Sequence, residues 1–190
     1  MTTTAPVAVV LLHYPVYDRN RRTVASAITN LDLHDIARAV RTFGLSRYYV
    51  VTPAVEQQRL AGQIIGHWRH GYGATYNPKR KAALDLVMVK CTLDDVVHDV
   101  ETEYGALPRL VATGAAAAAT ITYSGFREQL GASTTPHLLL FGTGWGLADE
   151  VMATADVILP PVRGTGEYNH LSVRSAVAII LDRLFGVEDY

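Results

Sequence analysis

The stretch that most limits the possible folds runs from Leu138 to Leu147 and reads Leu-Leu-Leu-Phe-Gly-Thr-Gly-Trp-Gly-Leu. Leu138 to Phe141 is an unbroken apolar run, the pattern of a parallel strand covered on both faces. Gly142, Gly144 and Gly146 then free the backbone, and a helix-like run follows. A chain that opens at the end of a buried strand brings main-chain amides and carbonyls close to something. The spacing G-x-G-x-G is not the G-x-G-x-x-G of dinucleotide sites, and no G-x-x-x-x-G-K-[ST] phosphate loop occurs in the chain.

The rest of the chain alternates strand and helix patterns. Residues 7–13, 47–52, 84–91, 109–113, 138–141 and 156–159 read as strands, with residues 23–29 as a further short one. Leu33, Ile36, Ala37 and Val40 recur at helical spacing, with Asp32 as N-cap and Gly44 as stop. Residues 54–70, 93–104, 124–130 and 147–155 read as helices, Thr92 and Asp95 forming a capping pair for the second of these. Val173, Val177, Ile180, Leu181 and Leu184 form the stripe of a long amphipathic helix. Residues 16–22 and 71–81 read as loops, and the alanines of 115–119 as a strand-to-loop crossing or a tight helical turn.

This order predicts an α/β fold, a mostly parallel sheet with helices on both faces, in one domain spanning residues 1–190. In such sheets ligands bind outside the carboxyl ends of the strands. Three strands end in small or turn-forming residues, at Thr113-Gly114, at Gly142 to Gly146 and at Leu159-Pro160. If those ends are neighbours they enclose one pocket with backbone walls.

Composition narrows the function classes. Apolar residues make up 49% and charged residues 18% of the chain, with no apolar run long enough to span a bilayer and no leader-like N-terminus. The expectation is a soluble cytoplasmic protein with no membrane partner. A net charge of −1 lacks the basic excess of a dedicated nucleic-acid binder. Local clusters at Arg19, Arg21 and Arg22, and at Lys79, Arg80 and Lys81, are each compatible with an ordinary solvated loop. The single cysteine, Cys91, reads as a buried structural thiol. His67 and His70 lack an acidic or cysteine partner at ligand spacing, so no metal site is expected.

The C-terminal part carries the most specific signal. A strand ending in a glycine loop, a helix, a strand at 157–160, a loop Arg163-Gly-Thr-Gly166 and then Tyr168-Asn-His-Leu-Ser-Val-Arg-Ser175 opening a long helix resembles the SPOUT (SpoU-TrmD) RNA methyltransferases. Asn30, Arg38, Gly44 and residues 48–52 are similar to the first motif of that class. Residues 139–147 are similar to the second and 158–176 to the third, with Asn169, Leu171, Ser172 and Val173 at its core. His13-Tyr-Pro15 and Asn30-Leu-Asp-Leu-His-Asp35 look like a small single-domain branch. In the branch that methylates ribose 2′-hydroxyls the Asn and Arg stand closer together than Asn30 and Arg38 do, so that chemistry is not carried over.

The resemblance implies a C-terminal deep trefoil knot, a homodimer, an RNA substrate (tRNA or rRNA), and S-adenosyl-L-methionine as methyl donor with S-adenosyl-L-homocysteine as product. It places the donor on Thr113 and Gly114, on Phe141, Gly142, Thr143, Gly144, Trp145, Gly146 and Leu147, on Ile158, Leu159 and Pro160, and on Leu171, Ser172 and Val173. Main-chain groups of Leu159, Leu171 and Val173 would read adenine, Leu147, Ile158 and Leu171 would exclude water, and Gly142 and Gly144 would permit close approach to the ligand. Arg38 is expected near the acceptor or its phosphate, with Asn30, Tyr168 and Asn169 orienting it. An ion pair with Asp35 is the other reading of Arg38.

RNA contact is expected at Arg19, Arg21, Arg22, Arg38 and Arg163. Two readings stay open for His170, a base or substrate contact against a helix cap, and two for Trp145, base stacking against a plug for the core. Asp18 is a candidate carboxylate base. A non-catalytic S-adenosylmethionine- and RNA-binding module of the same fold is the alternative from another class. A Rossmann-type nucleotide enzyme is disfavoured, because His13-Tyr14-Pro15 stands where its glycine fingerprint would be.

Overall fold

The computed structural model describes residues 5–187. The first four residues, on which the reading of the N-terminus partly rests, lie outside them. In chain order the strands are β1 (Val7–Leu12), β2 (Val16–Tyr17), β3 (Thr23–Val24), β4 (Arg47–Val51), β5 (Val87–Lys90), β6 (Arg109–Ala112), β7 (His137–Gly142) and β8 (Val157–Ile158). The helices are α1 (Asn30–Thr42), α2 (Val55–Arg69), α3 (Tyr72–Tyr76), α4 (Pro78–Leu84), α5 (Leu93–Tyr104), α6 (Tyr123–Ala132), α7 (Asp149–Thr154) and α8 (Val173–Phe185).

Six strands form one sheet in the order β5-β4-β1-β7-β6-β8, and every pairing in it is parallel. The apolar runs of β1, β4 and β7 are continuous because both faces are covered. Side-chain alternation sends Val9, Leu11, Tyr48, Val50, Leu139 and Phe141 into a layer with α1, α2, α4, α6 and α8. Val10, Leu12, Tyr49, Val51, Leu138 and Leu140 face α5 and α7 on the other side. Within the first layer α1 packs against both α4 and α8. The expected α/β architecture is therefore present, and no helix among the described residues is long and apolar enough to cross a membrane.

Several local expectations need correction. Residues 71–81 are not a loop: α3 and α4 occupy them, and α4 starts from Asn77, whose side chain accepts the Arg80 amide at 3.0 Å, with Pro78 in the first helical turn. Residues 16–17 and 23–24 form a two-stranded antiparallel ribbon, β2 with β3, in place of the loop expected over 16–22 and the longer strand expected over 23–29. Thr29, not Asp32, caps α1, accepting the Asp32 amide at 3.1 Å. Residues 84–86 belong to the end of α4 and its turn, so β5 is shorter than the apolar run, and Cys91 beyond it is exposed rather than buried.

Candidate active site

Because β6 lies between β7 and β8, the three strand ends expected to meet do meet. Above them opens a cavity of about 940 Å³. Thr113 and Gly114 line it from the end of β6, residues 141–147 from the end of β7, Pro160 from beyond β8, and residues 169–173 from the approach to α8. That volume suits a whole small-molecule ligand.

The glycine loop is shaped by its own chain. A Cβ on Gly142 would stand 2.6 Å from the Leu147 amide nitrogen, and one on Gly144 would stand 2.8 Å from the Tyr17 carbonyl oxygen, at a φ of +59°. The close approach these glycines allow is thus to the loop and to β2. The Trp145 amide donates to the Tyr17 carbonyl at 2.9 Å, the Tyr17 amide to Gly146 at 2.9 Å, and the Ala148 amide to Pro15 at 3.2 Å. The ribbon is therefore a wall of the site, and Asp18 anchors its turn. Its carboxylate accepts the Arg22 amide at 2.9 Å and the Asn20 amide at 2.8 Å and pairs with the Arg22 guanidinium. These bonds, the Arg22 amide first, hold its pKa below the ordinary carboxylate value and tie Asp18 to the turn.

Below the loop lies a polar floor. The Ser26 hydroxyl sits 2.9 Å from His13 Nδ1 and shares a short hydrogen bond with the Thr143 hydroxyl, which in turn contacts the Leu12 carbonyl at 3.2 Å. His13 is buried, and burial lowers its pKa to about 4 despite the opposing Asp32 carboxylate, so the imidazole is neutral at neutral pH. Asp32 accepts Arg174 Nη1 at 3.0 Å and the Thr29 hydroxyl at 2.7 Å. On the opposite rim Arg21, at a φ of +57°, pairs with Asp149 at 3.1 Å and lies 4.4 Å over the Tyr17 ring.

Most of the expected donor residues line this cavity: Thr113, Gly114, Phe141, Gly142, Thr143, Gly144, Trp145, Gly146, Leu147, Pro160, Leu171, Ser172 and Val173. Ile158 and Leu159 do not. Leu159 is buried behind the wall, and the Ile158 carbonyl accepts the Thr120 amide at 2.9 Å while its side chain packs in the layer with α5 and α7. Leu147 and Leu171 are joined by Val162 and Ile180 as the apolar lining instead.

Asn169 is in the wall and donates to the Ala115 carbonyl at 2.9 Å, whereas Tyr168 stands exposed beside it. Asn30 and Arg38 are exposed on α1 and do not line the cavity of their own chain, nor do Arg19, Arg22 and Arg163. The ion pair considered for Arg38 does not form, since Asp35 faces Arg174 at 3.5 Å.

Trp145 is 61% exposed, which rules out the core plug, and its ring meets that of His170 in a T-shaped arrangement. Ser172, not His170, caps α8, accepting the Ser175 amide at 3.3 Å. Sequence reasoning missed Tyr17, Ser26, Asp32, Asp149 and Arg174 as wall residues. For Asp32 a signal existed, the Thr29-x-x-Asp32 capping pattern that moves the helix start three residues upstream. For Asp149 and the ribbon none existed, because tertiary contact alone brings them in.

Fold and cavity together define a parallel-sheet α/β protein with an open cavity at strand carboxyl ends, walled by glycine loops and not by a phosphate loop. Residues 6–186 match the model of a family described as SAM-dependent RNA methyltransferase, and the chain belongs to that family, whose methyl donor is S-adenosylmethionine. A protein of Oleidesulfovibrio alaskensis named tRNA (guanine-N(1)-)-methyltransferase is 44% identical over 176 residues, covering 93% of this chain and 41% of that protein. The chain thus spans less than half the length of that relative. An uncharacterized protein of Aquifex aeolicus is 42% identical over 180 residues, 94% of this chain and 88% of that one.

Among solved structures, the SpoU methyltransferase AviRb of Streptomyces viridochromogenes in complex with AdoMet superposes with a TM-score of 0.62 at 16% identity, over 96% of this chain and 57% of that one. TrmJ from Z. mobilis gives 0.62 at 18% identity, over 98% and 71%. At these identities the likeness establishes a fold shared with these two proteins.

Proposed function

We propose that the chain binds S-adenosylmethionine in this cavity and transfers its methyl group to RNA, a tRNA or an rRNA. The observation that carries the reading is the cavity's lining. Glycine, alanine and main-chain groups form much of it, no lysine lies in it among the described residues, and its two arginines, Arg21 and Arg174, are each engaged by a carboxylate. A ligand with an adenine edge, a ribose diol and a zwitterionic tail fits such a surface, whereas a polyphosphate does not. Residues 113–114, 141–147, Pro160 and 171–173 would hold it.

The donor, when bound, supplies a methyl carbon activated by a sulfonium. The chain's contribution is alignment and exclusion of water by Leu147, Val162, Leu171 and Ile180, and alignment contributes up to about 7–11 kcal/mol in favourable cases. The tRNA (guanine-N(1)-)-methyltransferase names of two relatives favour a tRNA substrate. Guanine N1 carries a proton that must leave, and the wall offers the exposed His170 as its acceptor, Asp32 and Asp149 being already paired with Arg174 and Arg21.

We further propose that the chain works as a single domain, as a homodimer in the cytoplasm, with residues 159–172 forming the deep trefoil knot. The knot reading is supported by β8 lying across β6 from β7, and by the ties from Asn169 to Ala115 and from the Tyr123 hydroxyl to the Pro160 carbonyl. The homodimer is supported by exposed Trp145 and Leu171 in the cavity lining and exposed Leu31 and Tyr168 next in sequence to the wall residues Asp32 and Asn169, and it would bring Asn30 and Arg38 of one copy to the acceptor of the other. Arg19, Arg21 and Arg22 in the ribbon turn, and Arg163 beside Val162, would meet RNA phosphates. The location rests on the relatives' tRNA methyltransferase names.

The test is calorimetry with S-adenosylmethionine, followed by transfer of labelled methyl groups into unmodified RNA and mass spectrometry of the nucleosides. Donor binding and labelled RNA are expected. Absence of donor binding overturns the reading, and donor binding without transfer into any RNA pool replaces it with the non-catalytic module.

A further inference from the structure

Between Glu56 and Asp85 the chain has no acidic residue but five cationic ones, Arg59, Arg69, Lys79, Arg80 and Lys81, although its net charge is −1. Arg59 pairs with Glu56, and Arg69 and Lys81 both face Asp85. Lys79 is exposed with no ion pair among the described residues, and the Arg80 guanidinium lies 4.7 Å over the Trp68 ring. The segment that carries these charges is the α3–α4 turn on the far side of α1 from α8.

The same turn displays two aromatic rings. Gly73 faces inward, where a Cβ would stand 2.7 Å from the Trp68 ring and 3.0 Å from that of His67, so α3 is pinned to α2 by that face. Tyr72 and Tyr76 consequently point away from the core, 74% and 72% exposed, and stack on each other at 5.8 Å between centroids. Tyrosines held in a stack in water, next to a free lysine and an arginine spread on an indole, combine the two groups that single-stranded RNA uses. Cations meet its phosphates, and sequence-tolerant π faces meet its unpaired bases. An apolar protein partner would not call for the cations, and a membrane surface would not call for two rings stacked on each other on a short helix.

We propose that the α3–α4 face is an RNA-docking surface separate from the cavity, with Lys79 and Arg80 on backbone phosphates and the Tyr72–Tyr76 pair stacking an unpaired base of the substrate. The inference rests on the RNA methyltransferase reading and gives it a second point of attachment, displaced from the methyl donor across α1. A chain with near-neutral overall charge can then hold RNA through a local field rather than a global one.

Fluorescence anisotropy with an unmodified tRNA transcript and with a single-stranded RNA oligonucleotide tests it, using the full chain, Lys79→Ala and the double variant Tyr72→Ala, Tyr76→Ala. The tyrosine variant is expected to bind the oligonucleotide at least about fivefold more weakly, the lower end for loss of one base–aromatic stack. Lys79→Ala is expected to reduce the salt dependence of log affinity by about 0.7, one phosphate contact on a single strand. Calorimetry should show unchanged S-adenosylmethionine binding in both variants, which separates a docking defect from misfolding. RNA affinities equal to the unaltered chain's overturn the surface and leave the methyl-transfer reading standing. An unaltered chain that binds donor but neither RNA overturns both, and one that binds RNA through this face without binding donor overturns only the methyl-transfer reading.

Discussion

A single added carbon at Gly142 would lie 2.6 Å from a backbone nitrogen of the same loop, so no other residue lets the turn close on Leu147. Gly144 meets two obstacles, the Tyr17 carbonyl and a left-handed φ, which costs about 1–2 kcal/mol for other residues. Gly142→Val and Gly144→Val are therefore expected to weaken donor binding by at least about tenfold, since the strain of about 1–3 kcal/mol falls on the cavity wall. Gly131→Ala, on α6 with open space around it, is the control that should bind donor normally in the same calorimetric titration.

His13 carries a different residue-scale consequence. Its imidazole titrates near 6.5 when unfolded and near 4 in the fold, where burial outweighs the attraction of Asp32. Between those values the unfolded chain binds more protons, so the His13 contribution is fully present above pH 6.5 and is lost as pH falls toward 4. At about 1.4 kcal/mol per pH unit the window is worth about 3 kcal/mol. His34 and His137 are lowered for the same first cause, burial, and act in the same direction. Urea unfolding from pH 7 to pH 4 should show stability falling, and His13→Gln should flatten part of that slope. A slope equal to that of the unaltered chain would contradict the buried neutral imidazole.

At the scale of elements, the cap of α8 matters because its first turn is also cavity wall. Ser172→Ala should cost about 1 kcal/mol of stability and also weaken donor binding. Thr92→Ala, which breaks the capping box of α5 with Asp95 away from the cavity, should cost a similar amount and leave donor binding alone. Equal donor affinities in the two variants would detach the α8 turn from the site.

What the sequence could and could not show divides at the same scale. α1, α5 and α8 carry an apolar stripe over 12 or 13 residues, long enough for a period to declare itself. α3 and α4, of 5 and 7 residues, are too short for that, and only Asn77-Pro78 announces the second of them. β2, two residues long, is a strand only because the glycine loop and β3 bond to it. The donor side of the site was legible because it comes from consecutive residues at strand ends. The floor of His13, Ser26 and Thr143 was not, since it joins side chains 117 residues apart in sequence. The glycines were visible, but not that they approach Leu147 and Tyr17.

At the scale of the whole molecule, one ion pair joins the first helix to the last across 142 residues of chain and sits in the cavity wall between them. Asp32 is nearly inaccessible, while Arg174 retains partial exposure and reaches Asp35 as well. Removing the guanidinium leaves the Asp32 carboxylate with the Thr29 hydroxyl as donor but without its counter-charge, whereas removing both partners relieves the buried charge. Arg174→Met is accordingly expected to cost about 1.5–3 kcal/mol, the range for a hydrogen bond to a charged group, and the double variant Asp32→Asn, Arg174→Met less than the sum of the two single changes. A double-mutant cycle by urea unfolding measures that coupling, and additive effects would mean that α1 and α8 are held by apolar packing alone. The same four proteins titrated with S-adenosylmethionine report whether the pair also sets the cavity. If α1 and α8 are clamped to shape it, donor affinity should fall with Arg174→Met even at temperatures where the variant is fully folded.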